Sequence, residues 1–355
     1  MTKPASLQAL VTTAQALVAG GKGLLAIDES NATCNLRFAE LGIEQTEASR
    51  RAYRQLLLTT PDLSTSISGV ILYDETIHQA TADGTAFVSV MKDAGLMVGI
   101  KVDTGAKALA GHPQEKVTEG LDGLRERLQS YAALGARFAK WRAVIAIGDG
   151  LPTAACIASN AQALARYAAL CQEAGLVPIV EPEVLMEGDH SLARCAEVTE
   201  ATLHALFTQL RLHDVALEAL ILKPNMVLPG LRSQLQESVN EVADATLTCL
   251  LRAVPAAVPG IAFLSGGQTA TLASARLNAM HVRAQQMQIR LPWALTFSFA
   301  RAIQQPALAL WLGQDANVAA AQTALRYRAV CNRAAALGLY VEVTESDAAD
   351  SRQTS

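Results

Sequence analysis

Eight short apolar segments recur along this chain of 355 residues, and each is closed by a polar or charged residue. They are 24–27 before Asp28, 70–72 before Tyr73 and Asp74, 98–100 before Lys101, and 138–139 before Lys140. The series continues with 177–180 before Glu181, 220–222 before Lys223, 261–264 before Ser265, and 294–297 before Ser298 and Arg301. From Lys101 onward the closing residues are spaced by 39, 41, 42, 42 and 36 positions, and the interval from Asp28 to Lys101 holds one further unit. A strand, a loop, a helix and a return loop occupy that sort of length. The stretches between read as helices: 159–173 carries Ala161, Leu164, Ala165, Ala168 and Leu170 ahead of Gly175, and 236–252 carries apolar residues ahead of Pro255. Eight such units predict an α/β fold of the TIM (β/α)8 barrel type. A doubly wound open sheet is the alternative, but it normally has fewer strands and no reason to end every one with chemistry.

No Pro/Gly/Ser-rich linker divides the chain, so a single domain is expected over 1–343, including an N-terminal amphipathic helix built on Leu7, Leu10, Val11, Ala14, Leu17 and Val18. Residues 344–355 are polar without a core-facing period and are expected to form a mobile tail. With 51% hydrophobic residues, 17% charged residues and a net charge of −4, the chain can bury a large core. It shows no basic stripe, so no nucleic-acid partner is expected. No apolar run approaches the roughly 18 residues that would span a membrane. The six cysteines form no CxxC pair, which fits reduced thiols in a cytoplasmic protein. The six histidines form no HxH or HExxH pair, so no metal site is expected.

In a barrel of this kind, catalytic residues come from the C-terminal ends of the strands, where the closing residues fall. Lys223 is the only lysine after Lys140, and it sits in an apolar run, Leu220-Ile221-Leu222-Lys223-Pro224. Arginine stays protonated near neutral pH, whereas a lysine that is buried or close to another cation can act as a neutral amine. Such an amine is a nucleophile for a carbonyl carbon. A strand-end lysine with a packed stem and a solvated head is the simpler local alternative. Glu181-Pro182 and Lys223-Pro224 are each expected to end a strand, because proline donates no ladder hydrogen bond and holds the preceding residue extended. Glu181 and Glu183 share one face of an extended chain, as do Lys140 and Arg142. On this reading Lys140 favours a neutral amine on Lys223, Glu181 supplies the proton that expels the carbinolamine hydroxyl, Glu183 balances charge, and Asp28 is a candidate base. Ser265-Gly266-Gly267, with Arg301 after the eighth segment, falls where such barrels often bind phosphate.

These residues resemble the class I, Schiff-base-forming fructose-bisphosphate aldolases over about residues 20–340. The resemblance rests on Gly21-Lys22-Gly23 through Asp28-Glu29-Ser30, Gly99-Ile100-Lys101-Val102-Asp103, 138–142, 179–183, 222–227, 264–267 and 293–298. It implies that Lys223 forms the imine, Glu181 is the acid/base, Lys140 the electrostatic partner, Asp28 the base for the C4 hydroxyl and Glu183 a supporting carboxylate. It implies one phosphate site at Ser265, Gly266 and Arg301 and a second around Ser30, Lys101 and Arg142, with Arg37 retained beside it. It also implies a homotetramer that uses no metal or other cofactor. The expected reaction is reversible cleavage of fructose 1,6-bisphosphate to glycerone phosphate and glyceraldehyde 3-phosphate, in glycolysis and gluconeogenesis. The chain departs from the family pattern at Leu36, at Ala300 and in ending without a tyrosine. Another Schiff-base aldolase or transaldolase acting on a sugar monophosphate, and a noncatalytic phosphate-binding scaffold, are the alternatives.

Overall fold

The computed structural model describes residues 4–341, with side chains from Leu7 onward, so the tail expected over 344–355 lies outside the described residues. Eight parallel strands close into a barrel in sequence order: β1 Gly23–Ala26, β2 Ile67–Leu72, β3 Met97–Lys101, β4 Phe138–Ile145, β5 Val177–Val184, β6 Ile221–Leu222, β7 Gly260–Phe263 and β8 Ala294–Phe299. Each coincides with one of the eight apolar segments. Helices return the chain from strand to strand, and their starts are chemically marked. The hydroxyls of Ser30, Thr46, Thr153, Ser191, Ser238 and Thr269 each accept a hydrogen bond from a backbone N–H in the first turn. That satisfies a donor the helix itself leaves open.

Because side chains alternate across a strand, the barrel has two cores. One lies between the strands and the outer helices, and includes Leu25, Ile27, Val70, Trp141, Val180, Leu222 and Phe263. The other fills the lumen with Leu24, Ala26, Ile71, Phe138, Ile179, Ile221 and Ala262. Leu10, Ala14, Leu17 and Val18 join this second core. The N-terminal helix, Pro4–Leu17, therefore stoppers one end of the barrel with its apolar face. Small residues make room for large ones inside. Gly99 on β3 pairs with Phe138 on β4, and a Cβ at position 99 would fall 2.1 Å from the Phe138 ring.

Two sequence expectations are corrected. The dipeptide Glu181-Pro182 does not end its strand: β5 runs on to Val184, and β4 runs on to Ile145. Successive N–H groups of a parallel strand point to alternate neighbours. Val177 and Leu185 donate toward the β4 side, to Arg137 O at 3.1 Å and Ile145 O at 2.9 Å. Pro178 and Pro182 consequently face β6, whose ladder spans only Ile221–Leu222, so few donors are missed there. Val184, on the same side, donates to the Asn225 side chain at 3.0 Å instead. The second difference is an unexpected antiparallel hairpin, Gly105–Ala108 with Lys116–Glu119, between β3 and β4. It is tied to β4 by Thr118, whose hydroxyl donates to Arg142 O at 2.7 Å.

Candidate active site

Above the apolar floor, the inward-facing residues of β4, β5 and the strand ends turn from hydrocarbon to charge. Phe138 is followed on the same face by Lys140 and Arg142, Ile179 by Glu181 and Glu183, Ile221 by Lys223, and Ala26 by Asp28. These six charged residues line a cavity of about 430 Å³ at the C-terminal mouth, together with Ser30, Lys101, Ser265, Gly266 and Arg301. Eleven of the twelve expected site residues are thus brought together. Arg37 is the exception. It does not line the cavity; its guanidinium pairs with Glu29, which does, and reaches Gln305 Oε1 at 3.2 Å.

The floor of the cavity is a chain of alternating charges. Lys223 Nζ lies 3.1 Å from Glu181 Oε1, and Lys140 Nζ lies 3.2 Å from Glu181 Oε2 and 2.6 Å from Asp28 Oδ2. Lys223, Lys140 and Glu181 are 4%, 3% and 3% exposed, so the chain is shielded from solvent. Burial raises the pKa of Asp28, but Lys140, Lys223 and Lys101 outweigh it and bring it down to about 2. Burial likewise opposes ionisation of Glu181, and Lys140, Lys223 and Arg142 again outweigh it, holding Glu181 below its ordinary value. For Lys140 burial disfavours the charged form, whereas Asp28, Glu181 and Asp103 reverse that and raise its pKa. Both carboxylates are therefore ionised at neutral pH, and Lys140 is a fixed cation. Glu181 stands between the two lysines, so the expected repulsion between them is bridged by a carboxylate.

A consequence for stability follows from Asp28. Its folded pKa lies below the unfolded value of 3.8, so its ion pair stabilises the fold above that value and the contribution is lost as pH falls toward about 2. Relative to Asp28→Asn, the native chain is expected to be more stable by roughly 2 kcal/mol at neutral pH, with the gap shrinking below pH 4. Urea unfolding of both proteins across that range measures it, and a constant gap contradicts the assignment.

The two ends of the cavity differ. At the β7 end, Gly266 and Gly267 adopt φ of 53° and 78°, which opens the backbone of the Ser265 turn, and Arg301 stands at the start of helix Arg301–Trp311. At the other end, Lys101 Nζ lies 2.7 Å from Asp103 Oδ1, Arg142 Nε pairs with Glu183, and Ser30 caps helix Asn31–Ala39. Sequence reasoning gave Asp103 no role. Its Oδ1 also accepts from Gly105 N at 3.1 Å, and its Oδ2 accepts from Arg142 N at 3.2 Å. It thereby holds the Lys101 ammonium group and the backbone of Arg142. The signal was its place two residues after Lys101 at the end of the same strand. Tyr73, 5.9 Å from Lys101 Nζ at its ring centroid, was likewise visible only as a residue closing its segment.

Fold and site together define a class: a (β/α)8-barrel protein with a buried amine beside a carboxylate at its mouth, between two cationic ends. Comparison with known proteins narrows the class. A sequence model of the family fructose-bisphosphate aldolase class-I matches residues 9–355. A protein of Xanthomonas campestris pv. campestris described as "Probable fructose-bisphosphate aldolase class 1" is 58% identical over 94% of this chain and 98% of its own length. The non-muscle type fructose-bisphosphate aldolase of Lethenteron camtschaticum is 49% identical over 98% of this chain and 95% of its own. Among solved structures, fructose-bisphosphate aldolase from Plasmodium falciparum, in complex with TRAP and a small-molecule inhibitor, superposes with a TM-score of 0.93 at 43% identity, covering 96% of this chain and 97% of that one. The chain belongs to the class I fructose-bisphosphate aldolases.

Proposed function

We propose that the chain cleaves fructose 1,6-bisphosphate reversibly to glycerone phosphate and glyceraldehyde 3-phosphate through an imine on Lys223. The observation that carries this reading is the contact of Glu181 with both lysines. A carboxylate at 3.1 Å can take the ammonium proton of Lys223 and free its electron pair for the substrate carbonyl. Glu181, now protonated, returns that proton to the carbinolamine hydroxyl, which leaves as water. Lys140 keeps its charge throughout and holds Asp28 and Glu181 in place. In the iminium, the bond between C3 and C4 breaks as Asp28 accepts the C4 hydroxyl proton. The electron pair moves into the imine to form an enamine, and the aldehyde half is released. Protonation of the enamine and hydrolysis of the imine then free glycerone phosphate and regenerate the amine.

Ser265, Gly266 and Arg301 hold one phosphate on this reading, and Ser30, Lys101 and Arg142 hold the other. The separation of these two sets across one cavity supports a bisphosphate over a monophosphate. A coupled cleavage assay tests both points. Fructose 1,6-bisphosphate is expected to be cleaved with higher kcat/KM than either fructose monophosphate, and activity is expected to survive EDTA. Equal rates on the monophosphates, or loss of activity in EDTA, contradict the proposal. We further infer a homotetramer located in the cytoplasm and acting in glycolysis and gluconeogenesis, as the family resemblance implies. No helix of the described residues is long and apolar enough to cross a membrane. Light scattering reads the assembly, and cell fractionation the location.

A further inference from the structure

The phosphate turn Ser265-Gly266-Gly267 is backed by charge that the mechanism above does not use. Arg276, on helix Ala270–Gln286, is 6% exposed and forms no ion pair among the described residues. Its Nη1 donates to Gln268 Oε1 at 2.9 Å, and its Nε has no partner among the described residues. Gln268 in turn donates from Nε2 to Ser265 O at 2.9 Å, and its own backbone N–H donates to the same oxygen at 3.0 Å. A second buried arginine, Arg328, stands at the first turn of the same helix and donates to Ala270 O and Ser274 Oγ, both at 2.7 Å. It too has no ion pair among the described residues, and its Nε is unpartnered there.

A buried guanidinium without a carboxylate is an unfavourable arrangement unless an anion completes it. Burial lowers the pKa of Arg276, and Glu237 opposes that shift through its charge without forming an ion pair with it. Arg276 does not line the cavity, so it does not touch a ligand there. Its charge reaches the cavity by one short relay, from guanidinium to amide to the Ser265 carbonyl. In a medium of low dielectric such a charge acts over that distance, where solvent would screen a surface arginine. The helix carrying Arg276 also points its N-terminal end at the turn, so the dipole and the two guanidinium groups share one sign.

We propose that Arg276 is a positioning and specificity-determining residue for the phosphate held by the Ser265 turn: through Gln268 it fixes the turn, and its positive charge, held in no ion pair among the described residues, favours a dianionic group there. The inference rests on the phosphate reading of that turn given above. It extends the site by a layer, from residues that touch phosphate to a cation that selects it at second hand.

The test is competitive inhibition of cleavage by inorganic phosphate, measured on the full chain for Arg276→Met, Arg276→Lys and Arg301→Ala, with thermal melts of each. Arg276→Met is expected to raise the phosphate inhibition constant about tenfold while kcat at saturating substrate stays within about twofold. Arg276→Lys retains the charge and is expected to recover most of that loss. A purely structural residue would lower the melting temperature and leave the inhibition constant unchanged, and that result overturns the proposal. If Arg301→Ala weakens phosphate inhibition while Arg276→Met does not, the turn binds phosphate and the role of Arg276 is refuted. If neither variant changes it, the phosphate reading of the turn fails, and this inference with it. Should Arg276→Met not fold, Gln268→Leu breaks the same relay, and an unchanged inhibition constant there is equally decisive.

Discussion

Lys223→Met is expected to lower kcat for fructose 1,6-bisphosphate by at least about 10⁴-fold and to abolish the covalent adduct that borohydride traps with glycerone phosphate. Methionine nearly matches the length of the lysine stem and is at home in a site 4% exposed, so the barrel should persist. What disappears is the one nitrogen bonded to Glu181 from the β6 side. Lys140 cannot substitute for it. Two carboxylates, at 2.6 and 3.2 Å, hold Lys140 as an ammonium group, and an ammonium group has no electron pair to offer. Mass spectrometry of peptides from the trapped protein settles the matter. A reduced adduct on Lys140, or any adduct in the variant, contradicts the assignment of the nucleophile.

Glu181→Gln should have the next largest effect, a fall in kcat of roughly 10²- to 10⁴-fold. The amide keeps the shape of the carboxylate but neither takes the Lys223 proton nor returns one to the carbinolamine. Imine formation should slow along with turnover, so borohydride trapping after brief mixing should yield less adduct than the native chain, approaching it at long times. The substitution also takes from two buried lysines the carboxylate they share. Removing one partner of a buried ionic network is destabilising by about 3 kcal/mol or more, so the melting temperature should fall as well. Catalysis and stability separate in the time course, because a folded but slow variant still reaches full trapping. A drop in kcat of less than tenfold, with unchanged trapping, would remove Glu181 from the mechanism.

The barrel was legible because each of its units repeats the same problem. A strand buried on both faces has to be an apolar run, and one that reaches a working cavity has to stop being apolar there. Positions 28, 140, 181 and 223 carried that break clearly. The extent of β5 was not legible, since Pro182 reads as a terminator until the two-residue ladder of β6 shows which side its missing donor faces. The hairpin at 105–119 was missed because its strands are short and half exposed, with no core-facing run to mark them. Arg37 followed the family pattern in sequence, yet it is paired with Glu29, itself paired with the buried Arg54, and does not line the cavity. Spacing cannot rank competing partners for one guanidinium. Asp103 and Arg276 act through hydrogen bonds to neighbours, and a residue defined by what it holds leaves little trace in a linear pattern.

The helix Pro4–Leu17, described above as a stopper, settles the traffic through the barrel. With Leu10, Ala14 and Leu17 filling the far end, the described residues leave the lumen no back exit. Sugar, aldehyde and water in the proposed cleavage all pass through the one doorway at the strand ends. The half of the sugar tied to Lys223 by a covalent bond is then the last to go out through it.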